Sequence, residues 1–311
     1  MTAVDEAAPA PPATRRRGSP LSADTKAAWL FVLPAGLLLL LFIVVPFLLA
    51  FGFSFTNQRL ISPLPTRFVG LDNYLDTFTD GIFWKSLWNN TRFAIFIVPF
   101  QTVFALFLAV LINQRIRGRV AYRTIFFTPV TVVMAAAATI WVLLLNVNGL
   151  VNATLEVITL GNFSPDWLKD PTWSMPAIII VSIWQGVGFQ MVILLAALQD
   201  VPSELYEASA IDGAGKWQQF RHVTLPGIRN ALVFVVTITT ILAMRLFDQA
   251  WLMPTNPGGP LDSTRTVMIH MVDEGFGRQA IGRGSTIAVI FFTIVLAVTL
   301  LQRRFLREEA E

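Results

Sequence analysis

The sequence predicts an all-α, polytopic membrane protein with six spanning helices and one organised polar loop. Three observations carry that fold class. Six apolar runs are each long enough to cross about 30 Å of hydrocarbon. Only 14% of the 311 residues are charged and mean hydropathy is +0.61, whereas an ordinary soluble chain carries about 25% charged residues. A polar island at 202–226 separates two of the runs, and it carries helix signals of its own.

Residues 1–26 are rich in Ala and Pro, carry Arg15, Arg16 and Arg17, and have almost no large apolar side chains. That composition cannot build a core, so a disordered tail through residue 27 is expected. The run that follows, 28–53, is far longer than the 7–15-residue apolar core of a cleavable signal. It is therefore expected to be an uncleaved first span. The remaining spans are expected at 93–113, 124–145, 175–198, 231–253 and 284–301, making 28–305 the transmembrane domain and 306–311 a short tail. Pro46, Pro99, Pro129, Gly186 and Gly188 fall inside these runs, where a membrane helix tolerates breakers if neighbours satisfy the freed backbone groups.

Orientation follows from positive charge. Arg and Lys gather in the N-terminal tail, at 115–123, at 216–229 and at 303–307, about twice as many as in the alternate segments. Both termini and the 202–226 island are therefore expected in the cytoplasm. The net charge of only +3, scattered over helix ends, gives no nucleic-acid footprint. The absence of cysteine removes disulfides, thiolate metal sites and cysteine nucleophiles.

Within the island, Ser203 is placed to cap a helix, and Glu204 and Glu207 suit its positive end. Leu205, Ala208 and Ser209 offer a small-residue face, and Gly213 stands where a left-handed stop is wanted. A second short helix is expected from Lys216 to about His222, presenting Trp217 and Phe220 and ended by Pro226.

The order Glu207-Ala208-Ser209, three residues, Gly213, nine residues, Val223-Thr224-Leu225-Pro226 resembles the EAA loop of bacterial ABC importer permeases, in the form of the carbohydrate, maltose-type branch. Ser209 and Val223 depart from the motif while keeping size and shape. Weaker pieces fall in the family's order: Gly70-Leu71-Asp72-Asn73-Tyr74, Phe83-Trp84 and Asn89-Asn90-Thr91 after the first span, then Phe247-Asp248, Pro257-Gly258-Gly259-Pro260 and Gly284-Ser285-Thr286. The resemblance covers about 27–305. It implies that the loop is a coupling helix seated on an ATPase subunit, with Glu207 at the contact and Gly213 at the turn. Glu204, Ala208, Ser209, Asp212, Leu225 and Pro226 complete that coupling surface. It further implies a second permease subunit, an ABC ATPase dimer, an extracytoplasmic solute-binding protein and residence in the bacterial inner membrane. ATP and Mg are implied on the partner ATPase, with no cofactor on this chain.

The residues themselves agree that the energy source lies elsewhere. Gly213-Ala214-Gly215-Lys216 lacks the upstream Gly and following Ser or Thr of a phosphate loop. His222 and His270 are expected on opposite sides of the membrane, which leaves no histidine-based site. A sugar needs amides, hydroxyls and an aromatic face, and such groups are costly in lipid unless they meet a cavity. Trp184, Gln185, Gly188 and Gln190 in the fourth run supply them near the midplane, either as a substrate pathway or as small-residue packing with Gln as interhelical glue. In the fifth run Thr237, Thr240, Met244 and Asp248 recur at helical spacing, and Arg245 is within reach of Asp248 or Gln249. The alternatives there are a cavity-facing stripe and a snorkelling pair at the interface. Trp84, Trp173 and Trp251 fit an aromatic belt.

The expected function is that of the permease subunit of an ATP-driven carbohydrate importer. An importer of glycerol phosphate or another polyol is the nearest alternative. From a different class, an ion-coupled secondary carrier would show broken helices in paired halves and intramembrane carboxylates, of which Asp248 is the one candidate.

Overall fold

A computed structural model describes residues 23–62, 65–114 and 117–308. Of the expected disordered tail through residue 27, positions 1–22, with Arg15–Arg17, lie outside the described residues, as do Arg115 and the last three positions, while 23–27 are not a disordered tail but the first turn of a helix. The chain divides into two compact units, one reaching Leu49 and the other beginning at Ala50. Helices dominate throughout, and the described residues contain a single isolated β-bridge, Thr56 to Phe68.

The first run is α1 (Ala23–Leu39), a π-helical turn (Leu40–Val44) and the start of α2 (Val45–Phe53). The wide turn stands just before Pro46, which has no N–H to offer a helical bond.

From Ala50 onward the chain builds a bundle. A short α3 (Asp72–Thr79) leads into α4 (Gly81–Asn113), which starts twelve positions before the expected 93. Asp80 accepts a hydrogen bond from Ile82 N–H at 2.8 Å and caps the helix. Ser86, Asn89 and Asn90, polar enough to read as loop, are buried inside the fold. Thirty-three residues are about 50 Å of helix, so the first turns project beyond the hydrocarbon.

The third run is not one helix, which corrects the expectation of an unbroken span at 124–145. It is α5 (Arg119–Thr131) and α6 (Met134–Leu144), meeting at 99°. Pro129 removes a helical bond, and the β-branched series Val130-Thr131-Val132-Val133 favours the extended backbone seen at the break (ψ 128° at Val132 and 131° at Val133). Next come a ten-residue α7 (Leu150–Thr159) and α8 (Ser174–Gln199), the latter within a residue of the expected 175–198.

The polar island forms α9 (Ser203–Ile211) and α10 (Lys216–Gln219), a π turn (Phe220–Thr224) and α11 (Leu225–Gly227). Three local expectations are corrected here. Ser203 is the first helical residue and makes no cap bond; Pro202 occupies the cap position. Glu204 alone sits in the first turn, Glu207 lying one turn on. Pro226 does not end the second helix but opens a further helical turn, because the π turn shifts the Leu225 N–H onto the Phe220 carbonyl.

The fifth run is α12 (Arg229–Met244) and a short α13 (Asp248–Leu252), joined through Phe247 at φ −140° and ψ −62°. A 3₁₀ turn (Pro260–Asp262), α14 (Val267–Val272) and a π turn (Asp273–Gly277) precede α15 (Ile281–Glu308), which overruns the expected 284–301 at both ends and absorbs the start of the expected tail.

Two apolar clusters are threaded by α4 and α8. One gathers Phe83, Phe93, Ile97, Met175, Ile178 and Ile287. The other, nearer the polar island, gathers Leu108, Ile112, Met191, Leu194, Leu195 and Val235. The end away from the island is clasped by side-chain amides. Asn73 donates to the Ser54 and Thr56 carbonyls (2.9 and 2.8 Å), and Asn90 donates to Met244 O while accepting from Val267 N–H (both 2.9 Å). Asn89 donates to the carbonyls of Asp262 and Arg265, and Thr286 to Ser54. The weak motif pieces around Asn73, Asn89 and Thr286 are thus fasteners of loops onto helices.

Candidate functional site

The helical hairpin of α9 and α10 is held shut by one polar network. Gln219, buried, donates from Nε2 to the Tyr206 carbonyl and to Ser209 Oγ, both at 3.1 Å. Ser209 Oγ donates to Tyr206 O at 2.9 Å, and the Tyr206 hydroxyl lies 3.1 Å from Thr224 Oγ1. Between the helices Gly213 sits at φ +83°, where a Cβ would be strained. Ala214 N–H bonds the Ser209 carbonyl (2.9 Å) and Gly213 N–H that of Ala210 (3.1 Å), the pair of bonds that closes a left-handed helix stop.

The network uses up the inward polar groups and leaves the opposite edge bare. Glu204, Leu205, Glu207, Ala208, Ile211 and Asp212 are all exposed. Ile211 is 87% exposed and Trp217, stacked on Phe220 at 5.6 Å, is 71% exposed. The edge thus mixes carboxylates with large uncovered apolar side chains on a hairpin pinned from within. Leu225 is partly buried and Pro226 exposed at its base. A 670 Å³ cavity separates the hairpin from the ends of α4 and α8, lined by Asn113, Leu198, Tyr206, Lys216 and Phe220 among others.

A second polar place lies between the two apolar clusters. Two cavities of 240 and 290 Å³ share Gln101, Gln185, Gly186, Thr239 and Leu242. Ser182, Asp248 and Gln249 complete the first, and Phe189 and Gln190 the second. Gln185 lies about 17 Å along α8 from its start, near mid-membrane depth. Its Nε2 donates to the Val132 carbonyl at 2.9 Å, satisfying a backbone group freed by the α5–α6 break. Gln190 donates to Thr239 Oγ1 at 2.6 Å and is 1% exposed, so it joins α8 to α12. Gln249 Nε2 reaches Ser182 Oγ at 3.2 Å. The Gln101 side chain has no hydrogen bond among the described residues, and Gln101 lines both cavities. Gly186 leaves the space this side chain fills, since a Cβ there would meet Gln101 Nε2 at 2.5 Å.

Of the six pathway candidates, Gln185, Gln190 and Asp248 line a cavity, while Trp184, Gly188 and Thr237 line neither. Trp184 instead packs edge-on against Trp141 at 5.5 Å. Gly188 serves helix contact, because a Cβ would stand 2.1 Å from the Phe126 carbonyl oxygen. The expected stripe from Thr237 to Asp248 is interrupted: α12 ends at Met244, and Asp248 begins a new helix. Among the described residues Arg245 and Asp248 form no ion pair, and both are exposed. Sequence reasoning missed Gln101, whose signal was a lone amide beside Pro99 in an otherwise apolar run, and Tyr206 and Gln219, which carry none of the motif.

Away from the hairpin, Asp80, His270 and Glu274 bring their ligand atoms within 4.8 Å of one another. His270 Nε2 is 3.1 Å from Asp80 Oδ2, and buried Glu274 pairs with Arg278 at 3.1 Å and Arg283 at 3.7 Å. Burial pushes His270 below its ordinary value, against the pull of the Asp80 and Glu274 carboxylates. With two guanidiniums already on Glu274, a dication would meet like charge. The cluster is an ion-pair knot joining α4, α14 and α15.

Comparison with known proteins places these features in a family. The model for "Binding-protein-dependent transport system inner membrane component" matches residues 93–308. The chain is 33% identical to the sulfoquinovosyl glycerol transport system permease protein SmoG of Agrobacterium fabrum, over 91% of each chain. It is 32% identical to the trehalose/maltose transport system permease protein MalF of Thermococcus litoralis (89% of this chain, 92% of that one). It is 31% identical to the lactose transport system permease protein LacF of Rhizobium radiobacter (88% and 90%). A crystal structure of a bacterial ABC transporter that imports the acidic polysaccharide alginate contains a chain of the same fold. Its TM-score is 0.79 at 22% identity, over 93% of this chain and 98% of that one.

Proposed function

Because the chain belongs to the family of binding-protein-dependent transport system inner membrane components, we propose that it is the permease subunit of an ATP-driven importer of an uncharged carbohydrate. The observation that carries this reading is the pinned hairpin with its bare edge. The network of Tyr206, Ser209, Gln219 and Thr224 stiffens α9, while Glu204, Glu207, Ile211 and Trp217 have no internal work to do. A rigid knob of that kind suits a cleft on a nucleotide-hydrolysing partner. ATP and Mg belong to that partner ATPase dimer, and the hairpin receives its movement. Glu207 makes the central contact, with Glu204, Ala208 and Asp212 around it. Gly213 keeps the turn, and Leu225 and Pro226 pass the displacement to α12.

The complete machine contains a second permease subunit and an extracytoplasmic binding protein that delivers the sugar. Both termini and the hairpin lie in the cytoplasm, as the distribution of Arg and Lys supports. The sugar passes the amide-lined cavities, where Gln101 and Gln185 donate and accept hydrogen bonds and Asp248 accepts. No Lys or Arg is among the residues lining either cavity, which favours an uncharged polyol over glycerol phosphate.

The test is reconstitution with the partner subunits and a binding protein in vesicles, measuring uptake of labelled sugars on addition of ATP. ATP-dependent accumulation supports the reading. Uptake by this chain alone, without any ATPase, contradicts it.

A further inference from the structure

The short helix α7 has apolar side chains on both faces. Ten residues are about 15 Å of helix, half of what a span needs. On its inner face Val151 and Leu155 pack against the core, together with Phe163, Trp167 and Trp173. Buried Asn152 fixes the rotation of the helix about its own axis. Its Nδ2 donates to the carbonyls of Val147 (3.2 Å) and Pro165 (3.0 Å), and its Oδ1 accepts from Trp167 Nε1 at 2.8 Å.

With the rotation fixed, the outward face is Leu150, Ala153, Thr154 and Val157, bordered by Ile158 and Leu160. Leu150 is 68%, Val157 78% and Ile158 72% exposed. A solvated helix face carries charge. Here the one ionisable side chain of α7, Glu156, stands on the flank between the two faces. Further uncovered apolar side chains precede the outward face in the chain, Val147 between two exposed asparagines and Ile140 and Leu143 on α6, part of a bent pair apolar enough to cross a membrane. Behind the helix, Trp167 and Trp173 stack edge-on at 5.4 Å, and Trp173 is the cap residue of α8. Trp173 is partly exposed there, and indole rings at the ends of spans anchor proteins at a bilayer interface.

We propose that α7 lies in the membrane interface, parallel to the bilayer, with Leu150, Val157 and Ile158 inserted among phospholipid acyl chains. The partner for this face is lipid, not a second protein chain: the face is uncharged, its large side chains are all aliphatic, and it follows directly on a bent helix pair apolar enough to cross a membrane. Asn152 couples the seated helix to the Pro165–Trp173 segment, so contact with lipid holds the start of α8 at a set depth.

The protein has no cysteine, so single-cysteine variants report on chosen sites without further engineering. Val157→Cys and, on the flank, Glu156→Cys are labelled with an environment-sensitive fluorophore in the full chain, assembled with its transporter partners. Both are reconstituted in phosphatidylcholine–phosphatidylglycerol vesicles and exposed to 5-doxyl phosphatidylcholine or to aqueous iodide. At position 157 the lipid quencher is expected to act about threefold more strongly than iodide, with blue-shifted emission, and at position 156 the preference reverses. Iodide quenching at 157 equal to that at 156 overturns the proposal in favour of a solvated face. Protection of 157 from both quenchers overturns it in favour of a protein-covered one.

Discussion

Gln101 and Gln185 share two cavities yet differ in one bond, so substitutions there test the proposed transport role against packing. The Gln101 side chain has no hydrogen bond to lose, so Gln101→Ala is expected to raise the uptake KM about tenfold, one hydrogen bond's worth, and to lower the thermal unfolding midpoint only by its lost packing on Gly186. Gln185→Ala also strands the Val132 carbonyl, so it is expected to lower both uptake and the midpoint. Calorimetry beside uptake kinetics checks the pair, and equal midpoint losses would contradict the assignment. Ser209 is a similar lesson on the hairpin. Its hydroxyl gives Gln219 a second acceptor, so the departure from alanine at this motif position is part of the network. Gln219→Ala removes the central donor and is expected to cost about 1–2 kcal/mol. Faster proteolysis of the 203–227 segment in otherwise intact protein would report it.

Elements explain which parts of the fold were legible in the sequence. The run 175–198 is apolar with no charged residue along its whole length, so length and hydropathy located α8 to within a residue. The start of α4 was hidden because Ser86, Asn89 and Asn90 are polar by type, while their amides and hydroxyl are buried against other loops. The α5–α6 break was hidden because Pro129 and a β-branched series are compatible with either a kinked or a broken helix. The carbonyl acceptor for Gln185 exists only once the break has formed. The hairpin turn was legible at Gly213, where a single residue type suits the backbone, whereas Tyr206 and Gln219 have meaning only in three dimensions.

Two predictions belong to this scale. Gly188→Val drives a side chain into the Phe126 carbonyl and is expected to cost about 3 kcal/mol, the upper range for overpacking. Its check is a lowered unfolding midpoint in detergent. The knot at α14 gives a pH dependence. His270 titrates lower folded than unfolded, so the unfolded chain takes up its proton first as pH falls. Stability is then full above the ordinary histidine value of about 6.5 and declines as pH drops below it. His270→Asn is expected to flatten that acid limb of the midpoint–pH curve, and an unchanged limb would contradict the role given to His270.

On the scale of the whole molecule, the arrangement is a sequence of layers along α4 and α8. A clasped, ion-paired end gives way to an apolar cluster, then a polar girdle around Gln101 and Gln185, then a second apolar cluster, and finally the hairpin. In such layering a push at the hairpin reaches the girdle along α4 and α8, whose buried side chains form both apolar clusters. The hairpin carries no phosphate-binding loop, and in the proposed function its part is to be moved. Substituting its bare edge should therefore separate fuel use from transport and leave the fold alone.

The most direct measurement is sugar uptake per ATP hydrolysed by the complete reconstituted assembly carrying Glu207→Ala. The account predicts membrane insertion and an unfolding midpoint like those of the unmodified protein, with uptake reduced at least about tenfold. Uptake per ATP equal to that of the unmodified assembly would contradict the claim that force enters this subunit through α9.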